Sequence, residues 1–192
     1  MIAFSSILAA MSIILGKYLS FTAGPFRISF ENLPILMAGI FFGPIVGMIV
    51  GALADIVGCL LVGYNIIPII TVGAVLIGGI SGSLYRIFRA ISKKGIKLYI
   101  SVLFAHIVGS MIVKSIGLAI TYGYPFESII LRVPLYLVIS FAEFYIIYLL
   151  MKNKSFMKTI NETGLTGNEK KKSSNQVQSV TYYCILEKKK KK

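Results

Sequence analysis

The feature that most constrains this chain is a series of apolar runs, each near the length of a membrane-spanning helix. A helix that rises about 1.5 Å per residue needs about 20 apolar residues to cross a bilayer. Only 14% of the 192 residues are charged, whereas a soluble domain carries about 25%. Gly, Pro and charged clusters divide the chain into six candidate spans: 2–19, 32–43, 44–62, 66–88, 97–122 and 127–151. We therefore predict an all-α membrane protein with six transmembrane helices, of which the second is short.

The positions of the basic residues indicate the orientation of these helices. Cytoplasmic loops carry an excess of Lys and Arg. Basic residues cluster after the fourth and the sixth spans, at Arg86, Arg89, Lys93, Lys94, Lys97, Lys152, Lys154 and Lys158. Both clusters lie on the same side of the membrane if there are six spans. We therefore predict that both termini are cytoplasmic.

The end of the chain has a different composition from the rest. Residues 156–192 contain two runs of Lys, little apolar sequence and no helical period, a pattern typical of disorder. We predict a six-helix domain over residues 1–155 and a disordered, polybasic cytoplasmic tail over 156–192. The net charge of +13 lies largely in this tail and beside the spans, so we expect membrane lipids rather than nucleic acid as partners.

Small residues recur at a spacing that suits close helix packing. Gly43, Gly47 and Gly51 are four residues apart, which places them on one helix face and lets a neighbouring backbone approach. We predict that they pack helices together. The chain has no GxxxxGK[ST] motif and no spacing typical of a hydrolase or a metal site, so we predict a protein that is not an enzyme and needs no metal or cofactor.

Ionisable residues inside the predicted spans are the candidates for function, because each costs about 2.5–3.5 kcal/mol to insert. Helix depth places Lys114 and Asp55 in the outer half and His106 and Glu143 together nearer the inner face. One interpretation is that these residues form two structural ion pairs, Lys114 with Asp55 and His106 with Glu143. The other is that the surplus of outer cations, Arg27, Lys114 and Arg132, binds an anionic ligand.

Two blocks of sequence resemble a known family. They are FRISFENLPILMAGIFFGPIVGMIVGALADIVG at 26–58 and GSMIVKSIGLAITYGYPFESIILRVPLYLVISFAEFYIIYLL at 109–150. The first has a basic residue before Ile-Ser-Phe, a Phe-Gly-Pro break and Gly-x-x-x-Gly leading to Ala-Asp. The second contains Lys-Ser-Ile-Gly-Leu and Arg-x-Pro. Both blocks resemble the folate family of S components, the substrate-binding subunits of energy-coupling factor (ECF) vitamin transporters.

The resemblance implies the S-component fold and a subunit that binds folate or a related vitamin outside the plasma membrane of a prokaryote. Its partners would be an ECF transmembrane coupling protein and two ATPase subunits. The small-residue motif for docking would fall on Ser6 and Ala10. The resemblance places ligand contacts at Arg27, Ser29, Phe30, Lys114, Ser115 and Arg132.

Some alternatives stay open at this stage. Glu31 and Asn32 are interpreted as caps of the second helix, with contact to the ligand as the alternative. The vitamin is expected to be folate, with riboflavin or a queuosine precursor as alternatives. A channel or secondary carrier that acts alone is the competing functional class.

Overall fold

A computed structural model describes residues 2–23, 26–88, 93–123 and 126–160. For residues 21–23, 26, 27, 122, 126–129 and 131 it describes the backbone only. The helices are α1 (Ile2–Ile13), α2 (Asn32–Phe42), α3 (Pro44–Val62), α4 (Pro68–Ile87), α5 (Lys94–Ala105), α6 (Lys114–Tyr122), α7 (Phe126–Lys152) and α8 (Lys154–Ile160). Two π-helical segments, Ile14–Tyr18 and His106–Val113, continue α1 and join α5 to α6. These bounds follow the predicted spans closely.

Four of the described helical stretches are long and apolar enough to cross a membrane. They are Pro44–Val62, Pro68–Ile87, Lys94–Thr121 and Arg132–Lys152. Ile2–Tyr18 and Asn32–Phe42 are apolar but shorter than a full span, as the sequence predicted for the second. Helix α2 is buried along its whole length, so its neighbours rather than lipid surround it.

A short β-ribbon joins α1 to α2, which the all-α prediction did not include. Strands β1 (Phe21–Ala23) and β2 (Phe26–Ile28) pair antiparallel, with Thr22 opposite Arg27. Three-residue strands have too short a pattern to show a period of two, which is why the sequence did not reveal them. The ribbon leads into the start of α2.

Gly43 separates α2 from α3. Its φ of +108° lies in a region that residues with a Cβ rarely adopt. Pro44 follows as the first residue of α3, where its missing N–H costs no helical hydrogen bond. Gly43 was predicted to pack helices together; in the structure it forms the break between them, and the Arg86 guanidinium lies against it.

Helices α2, α3 and α4 pack with their backbones in contact. A methyl group built on Gly47 would lie 2.7 Å from Cα of Gly39 and 2.6 Å from the carbonyl oxygen of Gly78. One built on Gly51 would lie 2.8 Å from the carbonyl carbon of Ala74. All three distances are shorter than van der Waals contact, so only glycine fits at these two positions. Small residues therefore bring three helices together around buried core residues such as Ile35, Leu36 and Ile77.

The predicted tail begins inside a helix. Phe156 of α8 packs edge-on against Phe41, with ring centroids 5.9 Å apart, and Ile160 is buried. The described part of the tail, residues 156–160, is thus packed on the helical domain, since its apolar side chains cover α2. Residues 161–192 lie outside the described residues.

We expect Gly47→Ala to destabilise the protein, because the added methyl group would overlap the backbones of α2 and α4. Overpacking of this kind costs about 1–3 kcal/mol, which outweighs the gain in helix propensity. Gly95→Ala is the matched control, since a methyl group there would meet its nearest atom, in the Tyr148 ring, at 3.6 Å. Thermal unfolding in detergent measures both variants. Equal midpoints would contradict the packing described here.

Candidate functional site

The ammonium group of Lys114 is the centre of the candidate site. The residue is only 7% exposed, and its Nζ donates to Asn32 Oδ1 at 3.2 Å and to Glu31 Oε1 at 3.5 Å. Lys114 begins α6, whereas Glu31 and Asn32 lie at the start of α2. The loop after the β-ribbon therefore meets the fifth predicted span at a buried cation. A cation that is taken out of water needs such partners.

A line of buried polar side chains leads from Lys114 deeper into the helical domain. Asn32 Nδ2 donates to Ser110 Oγ at 3.4 Å, and Ser110 Oγ lies 3.3 Å from His106 Nδ1. His106 Nε2 lies 2.6 Å from Glu143 Oε2, and both of these side chains are fully buried. The predicted pairing of His106 with Glu143 is thus confirmed in the structure.

Arg132 supplies a second cation next to this line. Its Nη2 donates to Tyr136 Oη at 3.1 Å, and its guanidinium carbon lies 5.4 Å from the centre of the Tyr136 ring. The Tyr136 ring in turn lies 6.2 Å from the His106 ring. Arg132 and Tyr136 are one turn apart on α7, which places both beside the π-helical segment.

The predicted pairing of Lys114 with Asp55 is wrong, because the two side chains contact other partners. Glu31 provides the carboxylate next to Lys114, and Asp55 Oδ2 accepts a hydrogen bond from Thr71 Oγ1 at 2.6 Å. Depth along a helix gives the level of a side chain and not the direction in which it points, so Asp55 was matched on depth alone.

The interpretation of Glu31 and Asn32 as helix caps is also wrong. Glu31 stands at the N-cap of α2, yet its side chain makes no capping hydrogen bond among the described residues. Its carboxylate reaches Lys114, and the Asn32 amide reaches Lys114 and Ser110. Both side chains thus point toward the buried ammonium group, which needs partners once it is out of water.

The other predicted ligand contacts lie in different surroundings. Ser115 is buried, and its hydroxyl donates to the backbone oxygen of Ser110 at 3.3 Å. Ser29 and Phe30 are half-buried in the loop that leads to α2. The side chain of Arg27 lies outside what the structure describes, although its backbone pairs with Thr22. The structure thus brings Lys114 and Ser115 into one buried cluster.

The predicted docking residues lie on an open face of α1. Ser6 and Ala10 are both exposed, and the Ser6 hydroxyl donates to the backbone oxygen of Ile2 at 3.0 Å. The larger side chains of Ile7 and Ile14 are 59% and 51% exposed nearby. This face is apolar and has no neighbour among the described residues that buries it.

The sequence prediction gave no definite role in the site to four neutral polar residues described above: Asn32, Ser110, Thr71 and Tyr136. Asn32 entered it as a ligand contact only as the alternative to a helix cap, and Ser110 and Tyr136 as residues that share a helix face with the predicted cations. Thr71 did not enter it at all. The prediction followed formal charges, because charges cost most in a membrane. Neutral side chains cost less to bury, which gives a weaker signal.

The arrangement suits the binding of an anion better than the binding of a metal ion. Groups of three or more His, Cys, Asp or Glu that could hold a metal do not occur among the described residues. Lys114 offers three donors, of which the contacts to Asn32 and Glu31 occupy two. Both contacts are longer than the 2.7–2.9 Å of a strong charge-assisted bond.

Solved structures of similar proteins share this fold. A structure of FolT bound with folic acid matches with a TM-score of 0.66 and 26% identity, over 80% of this chain and 93% of that chain. The S component of a bacterial ECF transporter matches at 0.61 and 18% identity, over 79% and 92%. The S component for biotin from an ECF-type ABC transporter matches at 0.61 and 20%, over 79% and 90%.

Sequence comparison points to the same family. A search of curated proteins finds no match to this chain. The model of the family described as "ECF transporter, substrate-specific component" matches residues 1–183. Because this match spans nearly the whole chain and the fold agrees with it, the protein belongs to the family of substrate-specific components of ECF transporters.

Proposed function

We propose that this chain is the folate-binding subunit of an ECF importer. The observation that carries the proposal is the buried Lys114 ammonium, held by two long contacts in a fold shared with a folate-bound protein. Folates carry the carboxylates that such a cation binds. In this proposal the flat heterocycle of the vitamin binds beside the Tyr136 ring, which lies next to Arg132.

Glu31 acts in this proposal as a stand-in for the ligand. Its carboxylate lies 3.5 Å from the Lys114 ammonium group and balances part of its charge. A substrate carboxylate that reaches 2.7–2.9 Å forms a stronger bond and displaces Glu31. The cation is thus never left alone in a medium of low dielectric, and binding exchanges one carboxylate for another.

Movement of Glu31 would change its contacts with α1 and with the π-helical segment that continues α1. The Ser12 hydroxyl donates to the backbone oxygen of Glu31 at 2.7 Å. The Glu31 side chain also lies against Gly16, where an added methyl group would come within 2.8 Å of Glu31 Cγ. Because α1 also carries Ser6 and Ala10, the ligand site and the proposed docking face share one helix.

Transport in this proposal needs the rest of the importer. The chain spans the plasma membrane of a prokaryote six times with both termini in the cytoplasm, binds the vitamin outside, and docks through Ser6 and Ala10 on a transmembrane coupling protein with two ATPase subunits. It works by binding and not by catalysis. The sequence contains no P-loop motif, which agrees with the assignment of ATP hydrolysis to the ATPase subunits.

Calorimetric titration of the detergent-purified chain against folate, riboflavin, thiamine and biotin tests the substrate. The chain contains no Trp, so a fluorescence assay would lack its usual reporter. Tight one-to-one binding of folate alone is expected. Tight binding of another vitamin would overturn the substrate, and binding of none by folded protein would overturn the function.

We expect Lys114→Met to weaken folate binding by about 10- to 100-fold, because one hydrogen bond to a charged group contributes about 1.5–3 kcal/mol. Lys97→Met is the control, since Lys97 lies on the same helical stretch but contacts the Tyr85 ring, 4.0 Å from its centre. Calorimetry compares the two. Equal affinities would contradict the assignment of Lys114.

Arg132→Ala should also weaken folate binding by about 10- to 100-fold, since the guanidinium is the second cation of the site. Lys152→Ala removes a positive charge from the other end of α7 and serves as its control. Binding by the Arg132 variant within twofold of the wild type would exclude Arg132 from the site.

Ala10→Leu should leave folate binding by the isolated chain unchanged and abolish folate uptake, because a leucine would hold the partner helix away from α1. The measurement is uptake of labelled folate by cells that also express the coupling protein and ATPases. Ala142→Leu, at a half-buried position of α7, is the control. Normal uptake by the Ala10 variant would place docking elsewhere.

A further inference from the structure

The hydrogen bonds between Lys114 and Glu143 form an unbroken line through Asn32, Ser110 and His106, which we call the relay. Its links measure 3.2, 3.4, 3.3 and 2.6 Å. All five residues are buried, and Ser110, His106 and Glu143 are 0% exposed. Hydrogen bonds in such surroundings are stronger than in water and reinforce one another.

The chemistry of the two ends fixes the direction of the links. An ammonium group can only donate, so the atom of Asn32 that faces it is the carbonyl oxygen. The amide nitrogen of Asn32 then faces Ser110 and donates to its hydroxyl oxygen. At the other end, a neutral imidazole that donates from Nε2 to the Glu143 carboxylate has an unprotonated Nδ1. That nitrogen can only accept, so it takes the proton of the Ser110 hydroxyl.

Glu143 anchors the far end of the relay. A carboxylate can only accept, so it holds the imidazole in the tautomer with the proton on Nε2. Its other oxygen, Oε1, is buried with no hydrogen-bond partner among the described residues. A carboxylate that is buried with one oxygen unpaired contributes little to stability by itself, which suggests a role other than holding α7 in place.

The π-helical segment supports this interpretation. His106 and Ser110 lie within His106–Val113, and Lys114 follows directly. Segments of π-helix are rare in proteins, and those that do occur often lie at functional sites. This one carries two members of the relay and directly precedes a third.

We propose that Ser110, His106 and Glu143 are positioning residues for the recognition of a substrate carboxylate at Lys114. The proposal rests on the proposed function, because it takes an anionic group of the substrate as the partner of Lys114. The Asn32 amide is held at both ends, its carbonyl oxygen by the Lys114 ammonium group and its nitrogen by the Ser110 end of the relay. Without the relay its NH2 group loses its buried acceptor, and the contact to the ammonium group alone then holds the amide in position.

Ser110→Ala opens the relay without changing any charge. Ser101→Ala is the matched control: Ser101 lies in the same helical stretch, is also 0% exposed, and donates only within its own helix, to the backbone oxygen of Lys97 at 2.8 Å. Calorimetry with folate should show binding weakened by about two- to tenfold in the Ser110 variant and unchanged in the Ser101 variant. Equal effects of the two variants would overturn the relay.

Glu143→Gln tests the Glu143 end of the relay. Whether this change strengthens or weakens folate binding distinguishes an effect through the relay from direct electrostatic repulsion between Glu143 and the anion. Removing a negative charge favours the binding of an anion through space, so weaker folate binding would exclude the direct electrostatic effect, and comparison with the Ser110→Ala background identifies the contribution of the relay. We expect about two- to tenfold weaker binding in the wild-type background and no weakening in the Ser110→Ala background. The same loss of folate affinity in both backgrounds would overturn the proposal, even if the variants differ in thermal stability.

The direction of the relay can also be measured without a ligand. His106 is the single histidine of the chain, so NMR of protein carrying ¹⁵N-labelled histidine reports on this residue alone. We expect the tautomer with the proton on Nε2, and an Nδ1 resonance that shifts in Ser110→Ala but not in Ser101→Ala. A proton on Nδ1 would overturn the relay. If the wild type binds no vitamin, the proposed function fails, while this measurement still decides the relay.

Discussion

The burial of one ammonium group organises this protein. Lys114 is 7% exposed, and a cation in such a place is stable only if carboxylate and amide oxygens replace the water it has lost. Those oxygens come from Glu31 and Asn32, in a loop more than eighty residues away in sequence. The ribbon and α2 must therefore hold that loop against the π-helical segment.

The packing of small residues makes this arrangement possible. The stem of Lys114 passes over Gly73 of α4, where a methyl group would lie 2.6 Å from Lys114 Cγ. At a different contact of α4, Gly47 and Gly78 bring the backbones of α3 and α4 equally close. Glycine in a helix costs about 1 kcal/mol of propensity, so its use along α4 indicates that close approach to α3 and to Lys114 is worth more than that cost.

The sequence predicted the helices and one buried pair of side chains. It failed where the contact depends on the direction in which a side chain points rather than on its depth in the membrane. Span limits come from apolar length, which is why α3 and α4 begin and end within two residues of their predicted bounds. His106 and Glu143 were paired correctly by depth. Lys114 was paired wrongly with Asp55, because its real partner, Glu31, precedes a helix and no periodicity fixes the direction of its side chain. The β-ribbon was missed since its strands have only three residues.

In the proposed function, Glu31 also makes the site selective for its ligand. Because the Glu31 carboxylate already lies beside Lys114, a neutral molecule gains little by approaching the ammonium group, and a cationic one meets the positive charges of Lys114 and Arg132. In that proposal a group that is a better anion than Glu31 displaces it and releases a carboxylate that packs on Gly16, in the π-helical continuation of α1. Selection of an anionic vitamin and a signal to the proposed docking face of α1 then arise from the same exchange.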